Sequence, residues 1–164
     1  TKLYEECRES EAPAQHVQFK YGVALGKSRR VREALALFKQ MEKEEPKNAL
    51  LLHHIGILLA GSGRPLEALD YCRRALALSP DRARLWDGLG FAHLKIRKYP
   101  EAAKAFLKAA TLNPAFRDAW RHLLHAYHNG GERERLEGAK AYVQSAWPEQ
   151  LARFEQEKGR ELFD

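Results

Sequence analysis

The chain has 164 residues, 45% of them hydrophobic and 30% charged, with a formal net charge of +6. That balance excludes a disordered polymer, and no apolar run approaches the ~18 residues that a membrane-crossing helix needs. Cys7 and Cys72 lie too far apart to form a disulfide framework and read as two small buried apolar residues. The mild basic excess fits acidic peptides, anionic lipid or nucleic acid as partners.

Pro46, Pro80, Pro114 and Pro148 recur every 34 residues, and Gly22, Gly56 and Gly90 keep the same step. So do the dipeptides Glu33-Ala34, Glu67-Ala68 and Glu101-Ala102. Three ladders in fixed phase mean one unit copied along the chain. Residues 1–14, with Tyr4 and Cys7, match the second half of such a unit. They are expected to form the last helix of a truncated repeat or an N-terminal cap. A chain that starts at Thr1 reads as a fragment or a processed form. No signal segment is visible; a cytoplasmic location is favoured, and a periplasmic one follows if a leader has been removed.

Unit one, residues 15–48, predicts a helix over His16–Lys27 and a second over Val31–Glu44. In the second, Ala34, Leu35, Leu37, Phe38 and Met41 recur at helical spacing. Pro46 stops it, lacking the N–H and clashing with the preceding turn. Unit two, 49–82, places helices over Leu50–Ala60 and Leu66–Leu78 around the turn Gly61-Ser62-Gly63-Arg64-Pro65. Unit three, 83–116, is the most regular. Unit four, 117–150, drifts in its second half: Leu124 stands where the glycine recurs, Leu136 in place of the alanine, and Lys140 in place of the aromatic. Residues 151–164 read as a capping helix with Leu151 and Phe154 on one stripe.

This pattern resembles the tetratricopeptide repeat. The matches in unit three are Trp86, Leu89-Gly90, Ala102, Phe106, Ala109 and Pro114. Unit two offers Leu52, Ile55-Gly56, Ala68, Cys72, Ala75 and Pro80, and unit one Tyr21-Gly22, Ala34, Phe38, Met41 and Pro46. Trp120, Leu123, Tyr127 and Pro148 remain in unit four. The resemblance implies an all-α fold, a right-handed superhelical solenoid of antiparallel helix pairs. The first (A) helix of each pair would face a concave groove, and the second (B) helix the outside.

The resemblance also implies a scaffold for protein–protein interaction, whose A helices turn positions 2, 5, 9, 12 and 13 of each unit into the groove. The candidates are His16, Phe19 and Val23; His53 and Ile57; Arg84, Asp87 and Phe91; and Arg121, His125 and His128. Phe19, Val23, Ile57 and Phe91 would anchor apolar side chains, and Arg84 and Arg121 would pair with carboxylates. The expected ligand is therefore a peptide or partner-protein segment with acidic and apolar residues, and open repeat ends could also stack on one another. A carboxylate clamp for chaperone tails is not expected. Its positions hold Phe19, Val23, His54, Arg84 and Gly88, of which Arg84 alone fits, and a frame one repeat later fits no better.

No metal, cofactor or catalytic centre is expected. His122, His125 and His128 lie three apart and fan around their helix, without the i, i+4 pairing of a His-Glu-x-x-His site. No nucleophile elbow, dinucleotide fingerprint or P-loop is present. Two other readings stand behind the scaffold: the recognition part of a larger enzyme or of an assembly or secretion factor, and an RNA-binding helical repeat. Asp87 and Asp118 beside the groove arginines count against RNA.

Overall fold

The computed structural model describes residues 14–157, and the helix expected within the N-terminal element lies at residues outside them. Among the described residues there are helices alone: α1 (Ala14–Lys27), α2 (Val31–Glu44), α3 (Ala49–Gly61), α4 (Pro65–Leu78), α5 (Ala83–Lys95), α6 (Tyr99–Leu112), α7 (Arg117–Asn129), α8 (Arg133–Ala146) and α9 (Pro148–Glu157). Each packs on its neighbours in sequence, and alternate helices α1, α3, α5 and α7 also meet along one face. The result is an all-helical solenoid of antiparallel pairs.

The glycine ladder lets each A helix sit directly on its B helix. A Cβ at Gly90 would lie 2.6 Å from the Phe106 ring, and one at Gly56 would lie 2.9 Å from Cys72 Sγ. Phe38 and Phe106 are fully buried against these glycines. Unit four keeps the fit by exchanging sizes. Leu124 is fully buried where the glycine recurs, and Lys140 replaces the aromatic across from it. Relieved of core duty, Lys140 reaches Glu137 at 3.2 Å and Glu155 at 3.1 Å, with its ammonium 5.7 Å from the Phe154 ring centroid.

Every A helix ends the same way. The backbone N–H of Arg30, Arg64, Lys98 and Glu132 donates to the carbonyl five residues earlier, at 2.9–3.0 Å. This is the Schellman geometry, which needs a left-handed residue one step before. That residue recurs at the 34-residue step: Arg29 (φ 58°), Gly63 (78°), Arg97 (59°) and Gly131 (72°). Arginine in this conformation costs about 1 kcal/mol more than glycine.

Every B helix ends at a proline. The residues before it, Glu45, Ser79, Asn113 and Trp147, leave helical geometry with φ between −126° and −150°, as the proline ring requires of its predecessor. The freed carbonyls are used: Trp86 Nε1 donates to that of Pro80 at 2.7 Å, and Trp120 Nε1 to that of Pro114 at 3.1 Å. The glutamate ladder lies in the first turn of the B helices, where Arg30–Glu33 and Arg64–Glu67 form exposed bidentate pairs. A negative side chain there also complements the helix dipole.

The last helix departs from expectation. It begins at Pro148 rather than after residue 150, because a proline that ends one helix also suits the first position of the next. Phe154 anchors it, fully buried against α7 and α8.

Candidate functional site

The A helices share a face, and the structure defines what holds it open. Position 5 of each unit meets position 6 of the next. Phe19 stacks edge-on against His54, with ring centroids 5.1 Å apart. His53 lies against Gly88, where a Cβ would come within 2.7 Å of the imidazole. His122 Nδ1 donates to Asp87 Oδ1 at 2.7 Å. The series closes on α9, where Arg121 Nη1 donates to Glu157 Oε2 at 2.8 Å. Position 5 therefore joins units before it offers anything to a ligand. Contact between A helices is most extensive between α3 and α5, where the residue at position 6 is glycine.

Burial sorts the sequence candidates accordingly. His16, Arg84 and His128 are exposed; Phe19, Val23, Ile57 and Asp87 are half-buried; His53, Phe91, Arg121 and His125 are buried. Val23 and Ile57 pack against the N-terminal core. Phe91 is 7% exposed, with the Lys95 ammonium 5.8 Å from its ring centroid. Arg121 does not present an open guanidinium, because Glu157 and Asp118 (3.2 Å) already hold it. His125 is 1% exposed, stacked edge-on against Phe154 at 4.9 Å and 3.4 Å from Glu157 Oε2. His128 lies beside the same ring. The three-apart histidines of α7 thus point to different neighbours: His122 to Asp87, and the other two to α9.

The buried imidazoles are held neutral. Burial first, and then the charge of its neighbour His54, pushes His53 down to about 3. Burial and the nearby Arg84 and Lys27 take His54 to about 4. Burial also takes His125 to about 4, against the opposing pull of Glu157. These rings act as polar packing elements at neutral pH, not as acids or bases.

Open space remains at the end of the face where the A helices begin. Leu50 is shared by two cavities there. One, of about 290 Å³, is lined by Gln15, His16, Phe19, Met41, Glu45 and Asn48. The other, of about 460 Å³, is lined by Arg82, Arg84, Leu85, Leu112, Asn113 and Phe116, with Asp81 at its rim. Arg84 lies with its guanidinium carbon 6.0 Å from the Phe116 ring centroid. His16, Phe19 and Arg84 come from the sequence candidates. Arg82 and Phe116 were not legible as site residues, because they sit at the last position of the preceding unit, outside the set that faces the groove.

A family model described as "Tetratricopeptide repeat" matches residues 19–83, and another with the same description matches 83–116, together more than half of the chain. Over 95 residues the chain is 27% identical to "Tetratricopeptide repeat-containing protein trd-1" of Caenorhabditis elegans, covering 58% of this chain and 12% of that protein. Over 97 residues it is 31% identical to the "Peroxisomal targeting signal receptor" of Candida albicans, covering 59% of this chain and 16% of that one. The chain thus spans less than a fifth of either relative. Among solved structures, MamA from Desulfovibrio magneticus RS-1 superposes with a TM-score of 0.68 at 18% identity, over 96% of this chain and 85% of that one. The first TPR domain of human RPAP3 superposes with a TM-score of 0.67 at 20% identity, over 74% and 95%. These likenesses establish the fold.

Proposed function

The chain belongs to the tetratricopeptide repeat family and is an interaction scaffold, and from that premise we propose that it binds an extended peptide segment across the start of its A helices. The observation that carries this reading is the pair of cavities on either side of Leu50, one walled by Phe19 and His16, the other by Arg82 and Arg84. An aliphatic or aromatic side chain fills the first, and a carboxylate meets the guanidinium groups of the second. Phe116 backs Arg84 and limits its freedom, so less conformational entropy is lost when an anion arrives. The relative named as a targeting signal receptor is in line with peptide recognition.

Arg121 and His125 are left out of this site, since α9 engages both. Phe91, Val23 and Ile57 belong to the N-terminal core and line neither cavity.

Panning the full chain against a random peptide library tests the proposal. The expected enrichment is an acidic residue at a fixed short distance from a large apolar one. Leu50→Asp should weaken the selected peptide about tenfold or more, and Arg84→Ala should weaken it less. Apolar anchoring also predicts a shallow salt dependence. Selected peptides whose binding ignores Leu50→Asp would place recognition elsewhere.

A further inference from the structure

The first of the two cavities beside Leu50 carries a polar group that apolar anchoring leaves unused. Both cavities open between position-2 side chains of successive units, His16 and Leu50 for the first, Leu50 and Arg84 for the second. In the first, Glu45 lies half-buried among the apolar walls Phe19, Met41 and Leu50. Asn48 holds that carboxylate in place. Its side chain caps α3 by accepting from the Leu51 backbone N–H at 3.1 Å, and its Nδ2 donates to Glu45 Oε2 at 2.7 Å. An amide neutralises no charge, so the carboxylate keeps acceptor capacity at the cavity wall. The Phe19 ring is fixed as well, with its centroid 5.6 Å from that of Phe38 and 5.1 Å from that of His54.

Resting on the groove reading above, we propose that the first cavity selects tyrosine, and that the bound segment carries this tyrosine and a carboxylate three residues apart. The phenol ring packs on Phe19, Met41 and Leu50 while its O–H donates to Glu45. Phenylalanine fills the same space but takes water from the carboxylate without replacing its hydrogen bond. A lysine also reaches Glu45, yet residues 15–48 hold eight basic against four acidic side chains, a field that opposes a cation. The spacing follows from the wall that the cavities share. Packed helices of successive units lie about 8–10 Å apart. A polyproline II segment repeats its side-chain direction every third residue, over about 9 Å. Tyrosine and an acidic residue three apart therefore lie on one face and reach the two cavities across Leu50.

Fluorescence anisotropy on the full chain tests this, using labelled serine–alanine peptides with tyrosine and aspartate three residues apart, in both orders. In the better-bound order, replacing tyrosine by phenylalanine should weaken binding about fivefold or more. Glu45→Ala should erase that difference, whereas loss of folding would lower both peptides together. Arg84→Ala should weaken both and leave their ratio intact, and Leu50→Asp should weaken every peptide of the set. Tyrosine and aspartate placed side by side should bind more weakly than the spaced pair; equal binding would overturn the spacing. A phenylalanine peptide bound as tightly as the tyrosine one, yet still sensitive to Leu50→Asp, would overturn the tyrosine assignment and leave the groove reading standing. So would a lysine peptide bound more tightly than the tyrosine one. Peptide binding indifferent to Leu50→Asp would overturn both.

Discussion

Two junctions along the A-helix face use the same two positions in opposite ways. Between units two and three, His53 presses its ring into the space left by Gly88, and the helices close up. Between units three and four, the imidazole of His122 reaches Asp87 and holds the helices farther apart. The first junction is neutral and steric, the second polar and hydrogen-bonded. The residue at position 6 therefore sets what kind of contact each junction makes and what disturbs it.

Acid should separate the two junctions by the largest margin. His53, at about 3, belongs to the tight junction, and His54 beside it, at about 4, to the contact with unit one. Their folded values lie below the ordinary 6.5, so the unfolded chain takes up protons first as pH falls. Their stabilising share is complete above about pH 6.5 and is lost on the way down toward pH 4 and 3. Each titrating histidine should cost about 1 kcal/mol per pH unit in that window. Denaturant midpoints from pH 7 to pH 4.5 measure this, and His53→Leu should flatten the slope. An unchanged slope would mean that His53 is solvated.

Steric disruption comes next. Gly88→Leu drives a side chain into the His53 ring and should cost about 1–3 kcal/mol, read from thermal melts. His53→Ala in the same chain should return much of that loss, whereas two independent sites would add. His122→Ala, at the polar junction, leaves Asp87 without its donor and should cost about 1–2 kcal/mol; Gly88 variants should not couple to it.

Glu157→Gln weakens the end of the series, where the carboxylate serves Arg121, Arg153 and His125 together. About 1 kcal/mol should be lost, with faster amide exchange confined to α9. The smallest effects belong to the turns. Arg29→Gly and Arg97→Gly should each stabilise by about 0.5 kcal/mol, once relief of the left-handed strain is set against the freedom gained by the unfolded chain. Gly63→Arg should do the reverse.

The ladders made the helices legible to within a residue or two, since proline, glycine and alanine act through backbone geometry that local sequence declares. Two features escaped for physical reasons. The pairing of position 5 with position 6 of the next unit joins residues 35 apart, as with Asp87 and His122, and no pattern inside one unit reveals it. The change at Leu124 and Lys140 reads as decay until Leu124 is found fully buried and Lys140 paired with Glu137 and Glu155 beside the Phe154 ring. For the candidate site, the resemblance named positions on the A helices and counted His53 and Arg121 as open to a ligand, whereas His53 is buried against Gly88 and Arg121 is held by Glu157 and Asp118.

The turn geometry has a practical consequence. Gly61 and Asn129 occupy the same place in units two and four, at the exposed ends of their A helices, and a Cβ at Gly61 meets nothing. The Cys72 thiol is buried and pushed up to about 12, so it will not compete for a thiol-reactive dye. With Cys7 replaced, cysteines at 61 and 129 make a two-colour ruler laid across both junctions. The distance it reports should lengthen when Gly88 is filled and stay still when the turns are altered.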